Sequence, residues 1–461
     1  MNGPVPVREP MMDLEEAARA TGGERVGARP AFSGVTTDSR SLERGDLFVA
    51  LAGERFDGHD YVARAFASGA VAALVSRRLP EVEADAQVVV PDTRLALGRL
   101  AAAWRARFQL PVLALTGSNG KTTVKDMIAA ILAAHCGDPA TVLATEGNLN
   151  NDIGLPLMLL RLRERHRYGV FEMGMNHAGE IDYLSRLASP TAALVNNAQR
   201  AHIGLLGSLE AIARAKGEIY AGLRNGGVAL VNADDPFAPL WLQANAGRPV
   251  ITFGTGESAD VRGLPGKGQL RLLTPLDAFA VTLQVPGEHN ALNAIAACAA
   301  AFALEIPSRD IQAGLSAFAG ARGRLQRKAG NAGAVVIDDS YNANPDSMTA
   351  AIRVLAMEQS PRILVMGDMG ELGADAPALH AEVGTAAREA GLEALLALGP
   401  LSAHAVRAFG PGATHHETLE TLAAQAAGLA VPGATLLVKG SRAMRMERVV
   451  ALLAAGGPHA A

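Results

Sequence analysis

Cysteine is nearly absent: Cys136 and Cys298 are the only two in 461 residues. Two thiols are too few for a disulfide framework or an all-cysteine structural zinc site. Long hydrophobic runs are missing too. The longest weakly polar stretch, Ala294 to Ile306, is alanine-rich and too short to cross a bilayer, so no membrane insertion is expected. The opening segment MNGPVPVREPMMDLEEAARA has no apolar core of the kind a signal peptide needs, which makes the cytoplasm the expected compartment. Positive charge is not in excess, since 42 Lys and Arg against 46 Asp and Glu leave a net −4. That gives no support for nucleic-acid binding, which needs a basic face, and leaves room for a local pocket for an anionic substrate. No fixed-period repeat or low-complexity tract occurs.

What the chain has is 49% hydrophobic residues and a length that predicts two to four domains. Short strands alternate with helices in three blocks. Up to about Gln109, GDLFVAL reads as a strand and YVARAFASGAVAALV as a helix running into another. From Leu110, the strands YGVFEM, AALVNN and GVALVN alternate with helices as in a doubly wound parallel sheet, and the block closes with a helix from His289 to about Leu304. The polar, basic AGARGRLQRKAGNAG reads as an interdomain linker. AVVIDD, RILVMGD, ALLALG and TLLVKGS are strands of a last alternating block. The expected fold is α/β, with domains spanning 1–109, 110–321 and 322–461.

The stretch Leu113–Met127, LALTGSNGKTTVKDM, carries the first chemical signal. Val112 to Leu115 is short and unbroken like a buried parallel strand, and Val124, Met127, Ile128, Ile131 and Leu132 fall at helical spacing. Between them Gly117 and Gly120 let backbone N–H groups approach an anion at a helix start. Lys121 would neutralise outer phosphates, and the Thr122 hydroxyl would enter a magnesium shell. The general G-x-x-x-x-G-K-[ST] pattern wants glycine at Leu115, and an ordinary strand-to-helix turn is the plainer alternative.

Other candidates follow the loop. Glu172 ends YGVFEMG where a metal-binding acid would sit, or where a solvated carboxylate would. His202 follows a strand, and Lys216 lies on the next helix, where a lysine is usually a solvent handle. Asn290 and Asn293 are three apart near a helix start, positioned either to meet a ligand or to cap the helix. Arg324 lies in the linker, within reach of a phosphate across a cleft or simply exposed. Asp338 and Asp339 end a strand that continues through Tyr341, Asn342 and Asn344, at the carboxyl edge where open α/β sheets bind ligands.

In this order, from about Val35 onward, these residues resemble the Mur ligase family. TGSNGKTT is similar to the family's shortened phosphate loop, which accounts for Leu115. The resemblance implies a three-domain architecture with a central phosphate-loop sheet and a Rossmann-like C-terminal domain. It implies ATP contacts from Gly117, Ser118, Asn119, Gly120, Lys121, Thr122, Thr123, Asn290, Asn293, Arg324, Asp339 and Asn342. Magnesium would be held by Thr122, Glu172, His202 and Lys216, the lysine as a carbamate, and the catalytic set would be Lys121, Glu172, His202, Lys216 and Arg324. TTDSRSLERGDLFVALAGERFDGHDYV resembles the family's UDP-binding module. It implies substrate contacts from Ser39 and Arg40, joined by Asn148 and Asn151. DDSYNANPDSM and MGDMGELG are similar to members that add D-alanyl-D-alanine to UDP-N-acetylmuramoyl-tripeptide. Diaminopimelate-adding members would show Asp-Asn-Pro-Arg in the last block, and none occurs.

The implied chemistry moves the γ-phosphoryl of ATP onto a carboxylate, and the resulting acyl phosphate is attacked by an amine. Two anions must meet, so positioning and charge neutralisation dominate. An acyl phosphate must also be kept from water, which predicts closure of the last block over the central one. The partners are the nucleotide tripeptide and the dipeptide, and a monomer is expected. A diaminopimelate-, lysine- or polyglutamate-adding ligase is the rival within enzymes. A phosphate-loop switch or motor is the rival outside them.

Overall fold

The computed structural model describes residues 8–54, 56–80, 86–266 and 268–455. Its strands gather into three large sheets that follow the chain. The first has five strands in the order Glu24–Gly27, Ala86–Val89, Ala72–Val75, Asp46–Val49, Gly34–Thr36, antiparallel only at the first pair. The expected helix running into another element is here: Val62–Ala67 leads to the buried strand Ala72–Val75. The helix Thr93–Arg105 starts where Asp92 accepts hydrogen bonds from the Arg94 and Leu95 N–H groups. It packs on helices of the next block, so one apolar cluster runs from Leu97 and Trp104 into Leu155, Ile181 and Leu184.

The second sheet has nine strands. Val112–Thr116 lies between Tyr168–Glu172 and Ala192–Val195, all parallel, with Val142–Ala144 at one edge. Val228–Asn232, Val250–Gly254 and Val261–Pro265 continue it in parallel on the other side. The inner strands are apolar throughout because helices cover both faces: Lys121–Cys136 and Glu288–Ala303 on one, Glu180–Ala188 and Leu209–Gly217 on the other. The parallel expectation fails at the far edge, where Leu270–Leu273 and Ala278–Val281 form an antiparallel hairpin. The block also runs past Leu304 into a helix, Ser308–Ala317, whose Gly314 lies against the backbone of Ile131.

The third sheet has six strands, ordered Gln326–Ala329, Val335–Asp339, Thr435–Lys439, Arg362–Gly367, Ala394–Leu398, Ala413–His416. All pairs are parallel except the first. The linker reading therefore needs correction. Within AGARGRLQRKAGNAG, Gln326–Ala329 is an edge strand, whose Lys328 Nζ donates to Asp338 at 2.7 Å. Its charged, half-exposed side chains suit an edge that must not pair further. Both cysteines are free thiols.

Candidate active site

The chain leaves the buried strand Val112–Thr116, turns at Gly117 and restarts as a helix at Lys121. Gly120 caps that helix at φ +79, a left-handed conformation that costs other residues about 1–2 kcal/mol. A Cβ there would sit 2.3 Å from Asn293 Oδ1 and 2.6 Å from Asn196 Nδ2. The space it leaves is filled by an amide network. Asn196 Nδ2 donates to the Asn119 carbonyl (3.0 Å) and to Asn293 Oδ1 (3.1 Å), and Asn197 Oδ1 accepts from the Asn119 N–H at 2.9 Å. Asn293 donates onward to Asn290 at 3.3 Å. Asn290 and Asn293 thus brace the loop from behind. Thr123 is buried on the same helix and is not among the residues that line the cleft.

Polar groups converge at the loop mouth. Lys121 Nζ donates to the Gly117 carbonyl at 2.8 Å, and burial pushes its ammonium below its ordinary range, opposed by Glu172. Glu172 is buried, accepting from Thr122 Oγ1 (2.9 Å) and Asn150 Nδ2 (2.8 Å). A hydroxyl and a carboxylate oxygen at that separation suit adjacent corners of a magnesium octahedron, whose ligands at about 2.1 Å stand about 3 Å apart. The pair fits the ion that the resemblance implies.

A cleft of about 520 Å³ opens in front of the loop. Ser118, Asn119, Gly120, Lys121, Asn148, Asn151, Glu172 and His202 form one wall, and Arg324, Tyr341, Asn342, Lys439, Ser441 and Arg442 the other, with Arg94 reaching in from the first block. The walls touch at several points. Arg324 stacks 4.3 Å over the Tyr341 ring and donates from Nη2 to Thr122 Oγ1 at 2.9 Å. Asn344 Nδ2 donates to Asn119 Oδ1 at 2.8 Å. Arg200 pairs with Asp346 (2.7 Å) and Glu382 (2.8 Å). His202 Nδ1 lies 2.5 Å from Glu371 Oε2.

Several candidates lie elsewhere. Arg40 is exposed and engaged with Asp38 at 2.7 Å, and neither it nor Ser39 lines the cleft. Asp339 accepts from the buried Lys439 at 2.6 Å and from the Leu325 N–H at 3.2 Å, building the foot of the second wall. Lys216 is no solvent handle: it is 2% exposed, and burial, with Lys121 nearby, pushes its ammonium well below the ordinary range. Among the described residues, no three His, Cys, Asp or Glu side chains are grouped to hold a metal. The sequence reading passed over Asn150, Asn196 and Asn197, the amides that hold Glu172 and the loop. Their signal was available: each follows a strand at the carboxyl edge of the sheet.

Three family models match the chain in order: the Mur ligase family, catalytic domain, over residues 31–105; the Mur ligase middle domain over 115–301; and the Mur ligase, glutamate ligase domain, over 323–442. The chain belongs to the Mur ligase family. It is 43% identical to the UDP-N-acetylmuramoyl-tripeptide–D-alanyl-D-alanine ligase of Escherichia coli K12, covering 96% of this chain and 98% of that one. A crystal structure of MurF from Acinetobacter baumannii matches 97% of this chain and 99% of its own, at 39% identity and a TM-score of 0.89. MurF ligase from Thermotoga maritima in complex with ADP matches 91% and 96%, at 27% identity and 0.79. The three sheets are thus the three-domain architecture of a Mur ligase, with a central phosphate-loop sheet and a Rossmann-like last domain.

Proposed function

We propose that this Mur ligase joins D-alanyl-D-alanine to UDP-N-acetylmuramoyl-tripeptide in an ATP-driven reaction. The near full-length likeness to ligases of that name supports the substrates. The observation that carries the mechanism is the meeting of Arg324 with Thr122, which sets a cationic second wall against the phosphate loop. A nucleotide held on the loop would lie inside a cleft walled by two domains, as a water-sensitive acyl phosphate requires. The domains are taken as 1–109, 110–321 and 322–461. The protein is read as a cytoplasmic monomer, with the tripeptide's third residue unspecified.

The roles follow from chemistry. Oxide is a poor leaving group, so the substrate carboxylate first takes the γ-phosphoryl group. The dipeptide amine then attacks the carbonyl carbon and expels phosphate. Lys121 and the loop N–H groups draw charge from the β- and γ-phosphates, and Arg324 steadies the group in transit. Thr122 and Glu172 would hold one magnesium, and His202 with a carbamylated Lys216 a second. When bound, magnesium supplies positive charge that lets phosphate and carboxylate approach. Carbamylation needs a neutral amine, which the buried setting of Lys216 favours. Asn148 and Asn151 are assigned to the nucleotide-tripeptide on their place in the cleft wall. Ser39 and Arg40 would serve its UDP end from outside the cleft.

Phosphate release tests the reading. It should be fast only with ATP, the nucleotide tripeptide and D-alanyl-D-alanine together. Equal ATP turnover with either acceptor omitted would replace the ligase with a switch or motor. Full activity with diaminopimelate in place of the dipeptide would move it to the rival ligase.

A further inference from the structure

MGDMGELG ends the strand Arg362–Gly367 and sends a loop across the cleft to His202. The loop is fixed at its base. The Asp368 carboxylate accepts from the Ser402 N–H (2.7 Å) and hydroxyl (2.5 Å), and its carbonyl accepts from the Ser441 N–H at 2.9 Å. His380, fully buried, accepts from the Met369 N–H at Nε2 (2.9 Å) and donates from Nδ1 to the Ala376 carbonyl (2.7 Å). At the loop's tip Glu371 is left-handed (φ +63), and it meets a second left-handed residue, His202 (φ +61), from the other wall. The Glu371 carbonyl accepts from the Gly204 N–H at 3.0 Å. Gly204 packs backbone to backbone on Gly373, where a Cβ would fall 2.2 Å from the Gly373 nitrogen.

His202 Nδ1 is buried and has no hydrogen-bond partner among the described residues; Glu371 Oε2, 2.5 Å away, lies off the ideal hydrogen-bond line. A small ring rotation converts that contact into an Nδ1–H···O bond. We propose that Glu371 is a positioning residue for His202, a carboxylate supplied by the last domain that fixes the imidazole tautomer only when the cleft is closed. The proposal rests on the ligase reading above. A carboxylate on Nδ1 holds the proton there and leaves Nε2 as the lone-pair donor, the arrangement that metal-binding histidines use. Because the carboxylate comes from the opposite domain, closure and completion of the site become one event. A simple clamp is the competing role, but Arg200 already ties the same domains through Asp346 and Glu382 without touching His202.

Ring-¹⁵N histidine labelling of the full chain reads the tautomer, with the His202 signal assigned by its loss in His202→Gln. With ADP and the nucleotide tripeptide but no magnesium, wild type should be protonated at Nδ1. Glu371→Ala should shift to the Nε2–H form, and Glu371→Gln, which still accepts a hydrogen bond, should keep Nδ1–H. In turnover, Glu371→Ala should lose about 10- to 100-fold in kcat with KM little changed, and Glu371→Gln should recover part of it. Arg200→Ala should instead raise KM and keep the tautomer at saturating substrate. An unchanged tautomer and kcat in Glu371→Ala, or kinetics matching Arg200→Ala, would overturn the proposal. Wild type that releases no phosphate with all three substrates would refute the ligase reading instead, and the tautomer measurement would still decide what Glu371 does.

Discussion

Arg200→Ala removes the most elaborate contact between the central and last domains. Arg200 donates to Asp346 from Nε (3.0 Å), Nη2 (2.7 Å) and its backbone N–H (2.8 Å), and to Glu382 from both terminal nitrogens (2.8 Å each). The Asp346 pair is about three-quarters buried on each side, and two charge-assisted bonds converging on the one oxygen, Oδ1, in that setting contribute about 1–2 kcal/mol. Glu382 is 46% exposed, so screening leaves it about 0.5 kcal/mol. Asp346 keeps its bond from the residue 200 backbone. The net loss of about 1.5–2.5 kcal/mol shifts the closed-to-open ratio about 10- to 70-fold. Part of that shift is absorbed while the closed form still dominates, so KM for ATP and the nucleotide tripeptide should rise at least about threefold. kcat at saturation should hold, because no reacting group is touched. Raising salt to about 0.5 M should move wild type toward the variant and affect the variant less. Small-angle scattering without substrates should show a larger radius of gyration for the variant. KM within twofold of wild type, with the same salt response and the same radius, would refute this account of closure.

Lys216→Ala should keep its circular dichroism and lose most activity, with formate restoring part of it; a fully active variant removes the carbamate from the mechanism. Gly120→Ala forces a left-handed alanine onto Asn293 and Asn196, so nucleotide affinity should fall at least about tenfold in a folded protein. Unchanged affinity by calorimetry would show that the loop does not need this geometry. His166, buried and surrounded by arginines, is held at about 4. The unfolded chain protonates it below about 6.5 while the native state resists, so stability falls as pH drops from 6.5 to 4 and levels below. The share of this one group is on the order of 3 kcal/mol. The stability gap between wild type and His166→Gln, measured in urea at pH 7 and pH 4.5, should change by that order; a constant gap would contradict it.

The features that were legible in the sequence are local ones. The phosphate loop, its strand and its helix are spelled by consecutive residues, because a buried parallel strand must be apolar and the anion turn must have glycine. Glu172 ends its strand and so falls at the cleft, whereas His202 reaches the cleft only through the loop that follows Val195. The hairpin Leu270–Leu273 and Ala278–Val281 was missed because its strands are only four residues each, too short for a clear period, and the outer one is exposed at Ala278 and Ala280. Gln326–Ala329 was missed because an edge strand carrying Arg327 and Lys328 looks like a linker. Ser308–Ala317 hides behind Pro307, which reads as a break and here sets a helix start. The burial of Lys216 was illegible, since it depends on packing between elements far apart in sequence. Glu371 belongs to the same class: its loop is ordinary until the opposite wall supplies His202.

At Gly204 and Gly373 the two domains meet without any side chain between them. The clearance is less than one methyl group, so closure here is gauged by the backbone itself. Gly204→Ala would push the surfaces apart by about 1 Å or more to restore ordinary contact. A single carbon can therefore act as a doorstop, holding the molecule ajar with every reacting group intact.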